Sequence, residues 1–354
     1  MPEGLKEAMQ AARSRTLGLV AHLSDEEFER PAAAFFGPLV WDLGHIAAYE
    51  DLWLNHRLAG RPLRRPELAE LYDAFETPRA VRGEATLLKG PALMDYLEAV
   101  RADSSTVALG DGALHELVLR HELQHNETML QAMAVMGRLP ETCGTPAARA
   151  TPLELASVDG ADVVIGAGDD CFAYDNERPQ HVRRVDGFRI ARRLSSNREW
   201  VAWADAGGYQ SSHHWSGAGW QWRSENGIDD HAGARTSDPD TAVTHVSYFE
   251  AEAFAAASSA RLPSEFEWES AAQANVLEGI GDAWEWTSSP FTGYPGFRAH
   301  PYREYSEVFF GDAYRVLRGW SCVTADRIRC TTFRNWDLPQ RRHLFAGVRL
   351  AGDA

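Results

Sequence analysis

His121-Glu122-Leu123-Gln124-His125 lies inside GALHELVLRHELQHNETMLQAMAVM, residues 112–136, a stretch patterned as one helix. Two imidazoles four apart on a helix stand one above the other on a single face, which makes them a metal-binding pair. Read literally, the string is also the H-E-x-x-H of zinc metalloproteases, in which the Glu is a general base. A pair holds a metal only weakly, so a third ligand has to come from another element.

Working outward, helical patterning recurs from Gly4 to Leu23, from about Leu39 to Leu58 and from about Pro91 to Ala108. Four helices with short connections make a bundle, where metal sites are built from side chains on facing helices. The exception is Arg61 to Lys89, a long, Arg-rich and Pro-punctuated crossover. Near residues 141–155 the composition shifts to ETCGTPAARATPLE, a linker. Beyond it Gly, Trp and Tyr become dense. Short apolar runs (ADVVIGAGDD, HVRRVDGFRIARR, DTAVTHVSYFE) alternate with turns there, and helical patterning shrinks to SNREWVAWADAG and SYFEAEAFAAASS. This reads as an α+β domain rich in irregular loops, and 354 residues are enough for two full cores.

Lys plus Arg number 35 against 51 Asp plus Glu, a formal charge of -16 that repels nucleic acid and anionic membranes. A small-molecule partner is expected instead. The first residues lack an uninterrupted apolar run and no window approaches the length of a membrane span, so a cytoplasmic protein is expected. Cys143, Cys171, Cys322 and Cys330 form no C-x-x-C pair, which fits a reduced compartment and argues against a cysteine zinc site. Each is expected to be a buried small hydrophobe, with Cys322 set apart below.

Candidates for the third ligand sort by geometry. Glu127 lies two residues past His125, about 200° around the helix, and points away. Gln131 stands where an elongated metalloprotease motif would need another histidine. Glu141 is the nearest downstream carboxylate. The second helix offers His45, in WDLGHIAAYEDLW, after a Gly44 small enough to permit close helix approach. His56 lies about 16 Å further along that helix and cannot share a metal with His45. His45, facing the bundle interior, is the better candidate. Three neutral imidazoles with open positions suit zinc or ferrous iron, and ligand type does not separate the two.

WDLGHIAAYEDLW, HELQHNETMLQ, DNERPQHVRRVDGFRIARR, RLPSEFEWESAA, GDAWEWTSSPFTGYPGF, YREYSEVFFGDAYRVLRG and TTFRNWDLPQRRHLFAGVRLA resemble, in order, the sulfoxide synthases of ergothioneine biosynthesis, the hercynine oxygenases. The resemblance implies a DinB-like four-helix bundle over residues 1–145 carrying the metal. It implies a C-type-lectin-like domain of the formylglycine-generating-enzyme type over 155–354. The family's H-x-x-x-H-x-E string falls on His121, His125 and Glu127 and its third iron ligand on His45, with Fe(2+) as cofactor. Glu122 then takes no part in the chemistry.

The resemblance also implies the reaction, an O2-dependent C–S coupling of hercynine to a thiol. Gln124 matches a hercynine contact, and Trp336 adds an aromatic face for the trimethylammonium. Tyr294 falls on the catalytic tyrosine, a phenol able to deliver a proton, and Phe297 on a second aromatic position of the same loop. Arg79 and Arg82 match an R-x-x-R pair suited to clamping the carboxylates of γ-glutamylcysteine. Asp337 matches an acidic residue that holds that substrate's amine.

Two departures stand out. The usual R-G-G-S-W reads Arg318-Gly319-Trp320-Ser321-Cys322, and the segment between Gln273 and Gly281 is much shorter than usual. Cys322 is expected to be a packing change, with a redox-active thiol as the alternative. Rival readings are a related synthase using histidine, cysteine or a selenosugar, a zinc peptidase using Glu122, and a binding module with a relic metal site.

Overall fold

A computed structural model of the chain describes residues 4–354. The chain divides into two compact units. One runs to Cys143 and includes Ala325–Ile328, and the other comprises Gly144–Thr324 and Arg329–Ala354. Among the described residues no helix is long and apolar enough to cross a membrane.

The first unit is built from α1 (Leu5–Val20), α2 (Asp25–Glu29), α3 (Leu39–Glu50), α4 (Gly90–Ser105) and α5 (Ala113–Met136). α1 packs on α5, and α3 packs on both α4 and α5. Short α2 exists because Ser24 and Glu27 close a capping box that satisfies two orphan backbone donors. α5 stops at Gly137, whose φ of 66° is the left-handed conformation that ends helices without a Cβ penalty.

The span from Leu39 to Leu58 is helical throughout but changes pitch, widening after Glu50 into a π-helix over Asp51–Leu58. There Asn55 Nδ2 donates to Asp51 Oδ1 at 2.9 Å, and the Arg64 N–H donates to Asp51 Oδ2 at 2.8 Å. The wide turn is thereby fastened to the crossover. Such turns concentrate at functional sites. Gly44, expected to admit a helix, admits an aromatic ring of the crossover instead. A Cβ at that position would lie 2.2 Å from Tyr72 Cε1.

The second unit opens with four short strands, β1 (Leu155–Val158), β2 (Ala161–Ile165), β3 (His181–Val185) and β4 (Phe188–Ala191). Helices α6 (Asn197–Asp205), α7 (Gly217–Glu225), α8 (Ala232–Thr236), α9 (Tyr248–Ala257) and α10 (Glu265–Gln273) follow. The chain ends in β5 (Trp284–Phe291), β6 (Gly311–Gly319), β7 (Asn335–Asp337), β8 (Ala346–Gly347) and β9 (Ala351–Asp353). Three sheets result, ordered β1-β4-β9, β2-β3 and β7-β6-β5-β8. Ser196, Ser247 and Ser264, each followed three residues later by Glu, close capping boxes on α6, α9 and α10.

Two buried arginines tie α10 to the β7-β6-β5-β8 sheet region, Arg318 to Glu269 at 2.6 Å and Arg334 to Glu265 at 2.7 Å, and a third, Arg349, ties the segment between β8 and β9 to Glu285 of β5 at 2.6 Å. Removing one partner would leave an uncompensated buried charge, costing about 3–5 kcal/mol.

The two departures from the family pattern meet in space. A Cβ at Gly281, in the shortened connection, would lie 2.4 Å from Trp320 Nε1, and Gly281 has a φ of +106°. The indole thus packs against the short loop. The four cysteines are free, and none is buried as expected: Cys171 is exposed and the other three are half-buried. Cys171 stands in the loop between β2 and β3, where the chain runs over the surface.

Candidate metal centre

His121 and His125 are one turn apart on α5, and His45 projects from α3, which packs against it. One ligand atom from each of the three lies within 4.8 Å of the others. His45 Nε2 stands 3.1 Å from His121 Nε2, close to the separation of two donors each about 2.1 Å from one ion.

The hydrogen bonds fix two of the tautomers. His45 Nδ1 is 2.6 Å from the Tyr72 carbonyl, which only accepts, so Nδ1 carries the proton and Nε2 a bare lone pair. His125 Nδ1 lies 3.0 Å from Asp42 Oδ1 and donates in the same way. His121 Nδ1 is buried with no hydrogen-bond partner among the described residues. Its ring is held by stacking on Tyr49, with centroids 3.6 Å apart and planes 9° apart. Trp41 stacks on His45 at 4.7 Å. Burial first, and the neighbouring imidazoles second, push His45 and His121 well below the usual histidine range. Both are neutral at physiological pH, as metal ligands must be. Convergent, neutral, preoriented imidazoles fit a divalent transition metal.

Other candidate ligands stand apart from this cluster. His56, on the π-helix, is exposed and bonded to the Arg61 carbonyl. Glu141 is exposed, and neither it nor Glu127 belongs to the cluster. Glu122 is 1% exposed and fully engaged elsewhere. Its Oε1 accepts from Arg13 Nε at 2.9 Å and Thr16 Oγ1 at 2.7 Å, and its Oε2 from Arg101 Nη2 at 3.0 Å. Glu50 binds the same two arginines and completes a buried quartet. A general base needs a free lone pair facing substrate, and Glu122 has none to spare.

In the helical unit, Gln124 precedes His125 on α5 and is half-buried. Arg82 is buried, with its guanidinium carbon 3.4 Å above the Trp41 ring and its Nε donating to the Thr77 carbonyl at 2.9 Å. Burial pulls its pKa down to about 10 against the opposing pull of Asp42. Arg79 is exposed.

In the second unit, Tyr294 is 4% exposed, lies 4.2 Å beneath the Arg334 guanidinium and has its hydroxyl 3.4 Å from Glu265 Oε2. Burial, then Glu265, raise its pKa. Phe297 sits edge-on to Phe310 at 4.9 Å, and Trp336 stacks on Phe291 at 4.2 Å. Asp337 Oδ1 accepts from the Leu338 N–H at 2.7 Å.

The sequence reading missed Asp42, Tyr49 and Tyr72. The first two carried a signal, because Asp42 precedes His45 by three residues and Tyr49 follows by four, so both share its helix face. Tyr72 carried none, since its role is played by a backbone carbonyl brought in by the crossover.

Residues 8–129 match the DinB superfamily, and residues 144–279 and 273–354 match the sulfatase-modifying factor enzyme 1-like domain. The hercynine oxygenase of Mycolicibacterium thermoresistibile is 39% identical, covering 97% of this chain and 93% of that protein. That of Mycobacterium tuberculosis is 39% identical over 99% of both. That of Mycolicibacterium smegmatis is 38% identical over 99% of both. The first alignment spans 428 positions against 354 residues, so at least 74 have no counterpart here, and the domain match breaks at 273–279 where the short connection lies. Of solved structures, PvdO from Pseudomonas aeruginosa resembles 61% of the chain at a TM-score of 0.44 and 16% identity, too distant to carry an argument. With two relatives at 39% identity over nearly their full length, a DinB-type unit and a sulfatase-modifying-factor-type unit, this chain is an oxidoreductase belonging to the hercynine oxygenase family.

Proposed function

We propose that this protein is an iron(II)- and O2-dependent sulfoxide synthase that joins hercynine to γ-glutamylcysteine. The observation that carries the reading is the cluster of His45, His121 and His125, with two Nε2 lone pairs preset by Tyr72 and Asp42. Iron, bound there, would supply the one-electron chemistry that O2 requires and a cation to acidify the thiol.

The protein's own groups take the remaining tasks. Gln124, on the His-bearing helix, offers an amide to hercynine, and Trp336 offers an aromatic face to its trimethylammonium. Arg79 and Arg82 carry the charge that carboxylates of the thiol substrate need, and Asp337 that of its amine. Tyr294 holds its phenolic proton at neutral pH because burial and Glu265 raise its pKa. That is the state a proton donor requires. The engagement of Glu122 with Arg13, Thr16 and Arg101 speaks against a peptidase.

Mass spectrometry of products from iron-loaded protein given hercynine, O2 and competing thiols tests the proposal. The expected product is a sulfoxide carrying γ-glutamylcysteine. A product carrying cysteine or histidine would reassign the substrates, and absence of O2 consumption with every thiol would refute the reaction.

A further inference from the structure

The three histidines are not held alike. His45 donates its Nδ1–H to a neutral carbonyl, His121 has no acceptor among the described residues, and His125 alone donates to a carboxylate, that of Asp42. Asp42 is 6% exposed and sits on α3 three residues before His45, so one helix supplies both a ligand and the partner of another ligand. We propose that Asp42 is a positioning residue of the metal centre, orienting and polarising His125 so that it is the strongest donor of the three. The proposal rests on reading the three histidines as a metal site.

The argument is electrostatic. A buried carboxylate costs several kcal/mol to desolvate, so a site that keeps one needs a partner for it. Arg82 is near enough for the two charges to interact, yet its guanidinium donates to the carbonyls of Thr77 and Ala74. The Asp42 oxygen is bonded instead to His125 Nδ1 at 3.0 Å. A carboxylate there keeps the proton on Nδ1, locks the ring and pushes electron density toward Nε2, which raises ligand basicity. The carbonyl on His45 does the first two and little of the third. His121, whose ring stacks on Tyr49 and whose Nδ1 has no acceptor among the described residues, is the ligand whose bond to metal is least reinforced.

The test uses full-length Asp42→Asn, which keeps an acceptor oxygen but loses the charge, and Asp42→Ala, which loses both. Apoprotein is titrated with Fe(II) against a chromophoric chelator under anaerobic conditions, and the midpoint potential of the bound iron is measured. Expected is a loss of affinity of about 10-fold for Asn and about 100-fold for Ala. The potential should rise in both, with the apoprotein's thermal midpoint close to the parent's. Wild-type affinity and potential in both variants would overturn the proposal. So would collapse of both apoproteins, which would make Asp42 a structural residue. Failure of the parent itself to bind iron is a separate outcome and would overturn the metal reading beneath it.

Discussion

Replacing Glu122 by Gln separates the two meanings of the H-E-x-x-H string. The buried quartet of Arg13, Arg101, Glu50 and Glu122 is neutral as it stands, two cations against two anions. Gln leaves one positive charge uncompensated at a site where the carboxylate is 1% exposed. It also turns an amide NH2 toward guanidinium donors, because both Glu122 oxygens now accept. Breaking a buried pair from one side costs about 3–5 kcal/mol. For a unit of this size that lowers the thermal midpoint by roughly 6–20 °C. Differential scanning calorimetry of the full chain measures it, and chelator-competition titration reads metal affinity, expected to be unchanged because Glu122 lies outside the histidine cluster. An unshifted midpoint together with lost turnover would refute the reasoning and return Glu122 to the chemistry.

Gly44→Ala should destabilise the helical unit by about 1–3 kcal/mol through overpacking against the buried Tyr72 ring. It should also weaken metal binding by shifting the Tyr72 carbonyl off His45; urea unfolding and metal titration read the two effects, and unchanged values in both would count against the packing described. Burial alone would raise the Glu50 pKa, but Arg101, Arg13 and Ser104 outweigh it and hold the carboxyl below the usual range. A depressed folded value contributes stability above the unfolded value of about 4.3 and loses it as pH falls through the folded one. Acid unfolding followed by circular dichroism should therefore steepen below about pH 4.3, and Glu50→Gln should flatten that limb. Gly281→Ala meets both a φ of +106° and the Trp320 indole at 2.4 Å, so it should destabilise the second unit, and Trp320→Gly in the same chain should recover only the steric part. Full recovery in that double variant would show that the backbone conformation contributes nothing.

Local rules made much of this molecule legible in advance. The i, i+4 histidine pair needed only helical periodicity, the four long helices of the bundle needed only apolar spacing, and the Ser-x-x-Glu boxes on α6, α9 and α10 announce themselves in the string. What the pattern could not show is where side chains with several possible partners find them. Glu122 could have faced substrate, but Arg13 and Arg101, 109 and 21 residues away in sequence, claim it. Gly44 could have faced a helix but faces Tyr72, and Asp51, the first residue of the π-helix after Glu50, is held by the backbone of the crossover at Arg64. None of these contacts is local.

The chain's own order of residues thus determined a metal-binding pair, a bundle to hold it, a second domain of different composition and the family to which the whole belongs. Spacing along one helix decides which atoms share a face, and that needs no partner. The tertiary structure alone decided which proton His45 and His125 keep. A tautomer is set by the acceptor opposite Nδ1, and those acceptors, the Tyr72 carbonyl and the Asp42 carboxylate, come within reach only when the crossover and α3 have closed around α5.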